Sequence, residues 1–142
     1  MTVFGHVLPQ RLVALLAAKQ WPPASPDRTA LAAWIADVQD LTFLDVDGMA
    51  RSTGELEGAA QGGGGAWMAL TDGVAMPGHL DVKRAVAIGM TYGQEVVALD
   101  YAGGGAPRVV ATQEVALPEG RKAIRWSEVD PTFEAFAKRI GL

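Results

Sequence analysis

Val96-Val97-Ala98-Leu99-Asp100-Tyr101, then Ala102-Gly103-Gly104-Gly105, then Pro107-Arg108-Val109-Val110-Ala111-Thr112: this run, with the residues behind it to Leu142, is the stretch from which the fold is read. Its first piece is apolar and rich in β-formers, and the glycines give the chain the positive-φ freedom that a reversal needs. A β-hairpin is predicted. Pro107 is tolerated because the first residue of a strand need not donate to the ladder. After a polar loop, Ala123-Ile124-Arg125-Trp126 extends or edges the same sheet. A closing helix follows, with Asp130 as N-cap, Pro131 at the first helical position, and Phe133, Phe136, Ala137 and Ile140 at i, i+3, i+4 and i+7. Lys138 and Arg139 complement the helix dipole in the last turn, and Gly141 ends it.

Working outward, Leu8-Pro9 opens a helix that places Leu8, Leu12, Leu15 and Leu16 on one stripe, and Trp21-Pro22-Pro23 stops it. Ser25-Pro26-Asp27 then reads as the start of a second amphipathic helix carrying Leu31, Trp34, Ile35 and Val38. The first strand is expected at Leu41-Thr42-Phe43-Leu44, continuing towards Val46. Between Gly48 and Gly65 the periodicity is poor, and Gly62-Gly63-Gly64-Gly65 reads as a flexible loop or insertion tip. Trp67 to Leu70 and Ala85 to Ile88 are read as further short strands, with Asp81 to Arg84 a turn or a single helical turn between them. Helices first, clustered short strands next and a helix last favour one α+β domain over residues 1–142, a mainly antiparallel mixed sheet flanked by N-terminal helices and a C-terminal helix. The middle strands lie too close in sequence for crossover helices.

At 142 residues the chain is long enough to bury a core without staples, and the absence of cysteine excludes disulfides and thiolate metal sites. No basic region followed by an apolar run opens the sequence, and Leu12 to Ala18, its longest apolar stretch, is too short to span a bilayer. A cytoplasmic protein with no membrane partner is expected. Sixteen acidic residues against twelve basic ones argue against a nucleic-acid binder driven by phosphate neutralisation. The acids are uneven: Asp37, Asp40, Asp45, Asp47, Glu55 and Glu57 fall in one segment that holds only Arg51 as a nearby base. Such a segment is either a solvated face or a patch that steers a cationic partner.

Leu99-Asp100-Tyr101, Pro107-Arg108-Val109-Val110, Trp126 and Asp130-Pro131-Thr132-Phe133-Glu134-Ala135-Phe136 together resemble the C-terminal half of bacterial SUKH-superfamily proteins, relatives of the fungal cell-wall synthesis regulators. Leu8-Pro9 and its Leu-rich helix resemble the start of those domains, and Ala85 to Gly89 is similar to the strand before the hairpin. The resemblance covers residues 80–142 best, and Gln20-Trp21-Pro22-Pro23 stands where family members carry Asn-Gly-Gly. It implies a single SUKH-like domain with no catalytic activity and no cofactor that binds another protein. Many bacterial members are immunity proteins of toxin-antitoxin type, which mask a partner toxin, often a nuclease and therefore often basic. On that reading Asp45, Asp47, Glu55 and Glu57 are the first candidates for partner contact, with Asp100 and Tyr101 next.

Rival chemistry starts from Leu41 to Leu44 followed by Asp45-Val46-Asp47-Gly48, which resembles the first motif of haloacid-dehalogenase-type phosphatases. There the first Asp would attack phosphorus, the second would protonate the leaving oxygen, and both would help hold Mg²⁺. Thr71 and Lys83 imitate the second and third motifs, but no Gly-Asp pair with a following acid supplies the fourth. Gly54 stands where a calcium loop needs Glu, Gly62 to Gly65 lacks a following Lys-Ser/Thr, and His6 and His79 have no partner at metal-ligand spacing, so no metal site is expected. A small-molecule or peptide sensor remains as a third class.

Overall fold

The computed structural model describes residues 1–62, 80–93, 95–116, 118–120 and 122–142. Its centre is a five-stranded sheet of β3 (Thr42–Phe43), β4 (Ala85–Met90), β5 (Val96–Asp100), β6 (Arg108–Ala116) and β7 (Lys122–Asp130), in that order and antiparallel throughout. A small hairpin, β1 (Thr2–Val3) and β2 (His6–Val7), stands apart from it. Helices α1 (Gln10–Ala17), α2 (Val46–Gly62) and α3 (Phe133–Arg139) complete a single α+β architecture. Among the described residues no helix is long and apolar enough to cross a membrane.

The hairpin read from the sequence forms as expected, with Leu99 opposite Val109 and Asp100 opposite Arg108, and Gly104 takes the positive φ of +78° in its turn. The strand expected at Ala123 to Trp126 is longer than its apolar core and pairs along β6 from Lys122 to Asp130. Asp130 is therefore a strand residue and not the helix cap. Its carboxylate accepts from Arg139 Nε at 2.8 Å and Nη2 at 3.1 Å, while Thr132 Oγ1 caps α3 by accepting from Ala135 N–H at 3.1 Å.

The second helix predicted from Ser25 is absent, although half of its apolar stripe is buried and Trp34 and Val38 are partly so. Leu31 and Ile35 are fully enclosed, yet the backbone makes only short 3₁₀ turns at Arg28–Leu31 and Val38–Asp40. Tertiary hydrogen bonds explain the difference. The N–H groups of Ala36 and Asp37, which an α-helix would direct to Ala32 and Ala33, donate instead to the Glu95 carboxylate at 2.7 and 3.2 Å. The Ala33 carbonyl accepts from Gln113 Nε2 at 2.9 Å.

The larger correction lies at Gly48 to Gly62, read as irregular and found to be most of the 17-residue helix α2. Its buried stripe is Met49, Ser52, Thr53 and Leu56, at i, i+3, i+4 and i+7. Half of that stripe is hydroxyl-bearing, which hides it from an apolar count. The strand before it is correspondingly shorter than expected, because Asp45 already caps the helix: its Oδ1 accepts from Gly48 N–H at 2.7 Å. A Cβ at Gly48 would stand 3.1 Å from that oxygen and 3.3 Å from Leu44 Cβ, so glycine lets the cap close. Gly62 ends α2; Gly63 to Gly65 and the strand expected at Trp67 to Leu70 lie outside the described residues.

Both faces of the sheet are covered. Val86, Ile88, Val97, Leu99 and Val109 pack with the apolar stripes of α1 and α3 and with a cluster of four rings in which Trp21, Phe43, Phe133 and Phe136 meet at centroid distances of 5.2 to 6.1 Å. On the other face Ala85, Ala87, Val96, Ala98 and Val110 pack with Leu56 of α2, Leu80 and Trp126. Trp21 also donates its indole N–H to the Leu44 carbonyl at 2.9 Å, which accounts for a buried tryptophan beside a loop.

Candidate partner-binding site

Helical spacing separates the acidic residues singled out in the sequence. Asp47, Arg51 and Glu55 follow one another at i, i+4 and i+8, so they share the exposed face of α2 with the guanidinium between the two carboxylates. Glu57 is half-buried and lies two residues on from Glu55, a turn of roughly 200° around the axis. Asp45 is exposed but occupied at the N-cap. The Asp-x-Asp-Gly motif is therefore a helix entry at an edge strand of an antiparallel sheet: Asp45 caps, Asp47 favours the positive end of the dipole, and Gly48 permits the approach. Lys83 sits exposed in the 3₁₀ turn Val82–Arg84, and Thr71 and His79 lie outside the described residues.

The tip of the β1–β2 hairpin adds apolar surface beside α2. Phe4, at φ 49°, is half-exposed, and its ring end would lie 3.4 Å from a Cβ at Gly54. Val7 is exposed as well.

Asp100 and Tyr101, also named from the sequence, occupy different environments. Asp100 is only 4% exposed; its Oδ2 accepts from Arg108 Nε at 2.8 Å and its Oδ1 from Ala102 N–H at 2.9 Å. Arg108 reaches Glu128 at 3.7 Å, so three adjacent strands are linked on one face. This carboxylate locks the start of the hairpin and offers no free oxygen edge to solvent. Tyr101 is half-buried, donates its hydroxyl to the Val7 carbonyl at 2.7 Å, and stacks on His6 with centroids 4.7 Å apart. His6 Nε2 in turn donates to the Lys83 carbonyl at 2.9 Å. Burial pushes the Tyr101 phenol up from 10 to about 12. The unfolded chain ionises this group first, so its contribution to stability is complete below pH 10 and is lost as pH rises towards 12.

Tyr101 also floors a groove of about 600 Å³ between the β1–β2 hairpin, the Gly105-Ala106-Pro107 turn and the start of α3. Its lining is mainly apolar, with Arg11 and Glu134 as charged residues at its walls.

The feature that the sequence reading passed over is the β4–β5 turn. Tyr92 is 97% exposed there, and Asp40 and Glu95 fasten the turn to the 3₁₀ segment preceding β3. The available signal was a lone aromatic in a Thr-Tyr-Gly turn between two apolar strands. Neither a family model nor a curated protein nor a solved structure gave a match to this chain.

Proposed function

We propose that the chain is a non-catalytic protein-binding domain of SUKH type that acts in the cytoplasm as an immunity protein, neutralising a cognate basic toxin, a nuclease being the leading class. The observation that carries the reading is the division of its carboxylates. Asp100 and Asp130 are enclosed in ion pairs with Arg108 and Arg139, whereas Asp47 and Glu55 stand exposed on one helix face with Arg51 alone between them and the half-exposed ring of Phe4 alongside. An apolar contact flanked by acids suits a partner whose own function requires clustered cations, and charge of this sign speeds its association. The antiparallel hairpin and capped helix are in keeping with the resemblance in the C-terminal third. No nucleic-acid partner and no cofactor belong to this reading.

The experiment is purification from the native host under low salt followed by mass spectrometry, together with co-expression of the neighbouring reading frame. A stoichiometric toxin-like protein, whose growth inhibition this chain relieves, is the expected result. Absence of such a partner, combined with Mg²⁺-dependent turnover of a phosphomonoester that Asp45→Asn abolishes, would overturn it in favour of the phosphatase. The groove at Tyr101 favours a second reading, a small-molecule or peptide sensor; ligand-dependent thermal shifts that Tyr101→Ala removes would establish it.

A further inference from the structure

The turn between β4 and β5 holds one aromatic ring out to solvent on a backbone that is tied from several sides. Thr91 N–H donates to the Glu95 carbonyl at 2.9 Å, and Glu95 N–H donates back to Thr91 Oγ1 at 3.1 Å. Tyr92 N–H donates to Asp40 Oδ2 at 2.6 Å, and the Glu95 carboxylate accepts from Ala36 and Asp37. The turn is thus fixed to the 3₁₀ segment, and a partner that uses it meets little further ordering cost. The ring itself contributes nothing to the fold at 97% exposure, in contrast to Tyr101, which is stacked and hydrogen-bonded.

Asp40 stands at the backbone of Tyr92, and Asp37 and Glu95 belong to the segments that this turn ties together. Asp37, Asp40 and Glu95 form no ion pair with any lysine or arginine among the described residues. Glu95 accepts from two backbone N–H groups, and Asp40 uses one oxygen at the base of the turn. Arg28 and Arg125, from adjoining segments, donate instead to the Leu41 carbonyl and to Gln113 Oε1.

We propose that the Tyr92 turn is a docking point for an arginine of a basic protein partner, with the guanidinium lying against the ring and paired with the carboxylates of Asp37 and Asp40. A planar, weakly hydrated guanidinium combines stacking on an aromatic face with carboxylate pairing, which an ammonium group does less well. The inference rests on the protein-binding reading above and adds a contact surface at the end of β4 and β5 away from Tyr101.

The test is an amide-shift titration of the labelled full chain with a capped hexa-arginine peptide, hexa-lysine serving as the comparison. Shifts centred on Asp37, Asp40, Thr91 and Tyr92 are expected, with hexa-lysine binding more weakly. Tyr92→Ala, a substitution at a solvent-exposed side chain, should weaken the peptide roughly two- to five-fold, while Tyr92→Phe retains its affinity. Asp40→Asn keeps an oxygen for the Tyr92 N–H and should flatten the salt dependence. Shifts confined to α2 around Asp47 and Glu55, or affinity unchanged in Tyr92→Ala, would overturn the docking point and leave the protein-binding reading standing. No saturable binding would also overturn it. Failure of that broader reading is a separate result, the absence of a stoichiometric partner from the native host.

Discussion

At its centre the sheet is buried on both faces, and the two are built from different materials. On the face turned to α1 and α3, strand residues are Val86, Ile88, Val97, Leu99 and Val109, and the space above them is filled by leucines and four aromatic rings. On the face turned to α2, the strands present Ala85, Ala87 and Ala98 between Val96 and Val110, Trp126 and Leu80 close the cluster, and the helix answers with Leu56 and the hydroxyls of Ser52 and Thr53. The first face gains stability from apolar volume, and each side chain lost leaves a cavity. The second gains it from close approach, and the small residues are what admit the helix. One face should therefore suffer most from truncation and the other from enlargement.

The largest effect belongs to the first face. Phe136 is fully buried and touches both Phe43 and Phe133, at centroid distances of 6.1 and 6.0 Å. Phe136→Ala should lower unfolding free energy by about 3–5 kcal/mol, measured by urea denaturation at unchanged m-value. On the second face, Ala98 sits fully buried in the central strand opposite Ala87 and Val110. Ala98→Leu should cost about 1–3 kcal/mol by overpacking, despite adding apolar surface. A stabilised Ala98→Leu protein would mean that the second face holds unfilled space and would end the contrast.

The same contrast decides what was legible in the sequence. Large apolar residues at helical or alternating spacing announce the first face, so α1, α3 and the β5–β6 hairpin are readable from Leu12, Leu15, Phe133, Phe136 and the Val-rich strands. α2 was unreadable because its buried stripe sets Ser52 and Thr53 between Met49 and Leu56, and because Gly48, Gly54 and Gly58 lower helix propensity. The lost second helix failed in the other direction: Leu31, Trp34, Ile35 and Val38 have helical spacing, but Glu95, 58 residues beyond Asp37, takes the N–H groups that would have extended it. For the candidate site, the acids of α2 could be found by charge counting, whereas the burial of Asp100 depends on Arg108 across the hairpin. Tyr92 could not be distinguished from a core aromatic until the turn was fastened outward by Asp40.

The smallest effect tests how the second face seals its polar groups. β3 has only two residues, Thr42 and Phe43, paired with Met90 and Gly89, and Leu44 N–H still reaches the Ile88 carbonyl at 2.9 Å. Beyond that point no strand among the described residues lies beside the edge of β4. There the buried Ala87 N–H donates to Thr53 Oγ1 of α2 at 3.0 Å. The hydroxyl that hides the helix from a hydrophobicity count is thus the group that lets the helix lie against a strand edge. Thr53→Val keeps the shape and removes the acceptor, so it should cost about 1–2 kcal/mol, with faster hydrogen exchange at the Ala87 amide as the local readout. Thr53→Ser restores the acceptor and should restore protection at that amide even though it gives up a methyl group. If valine were neutral and the Ala87 amide stayed protected, burial under α2 alone would be sufficient, and the second face would differ from the first only in side-chain size.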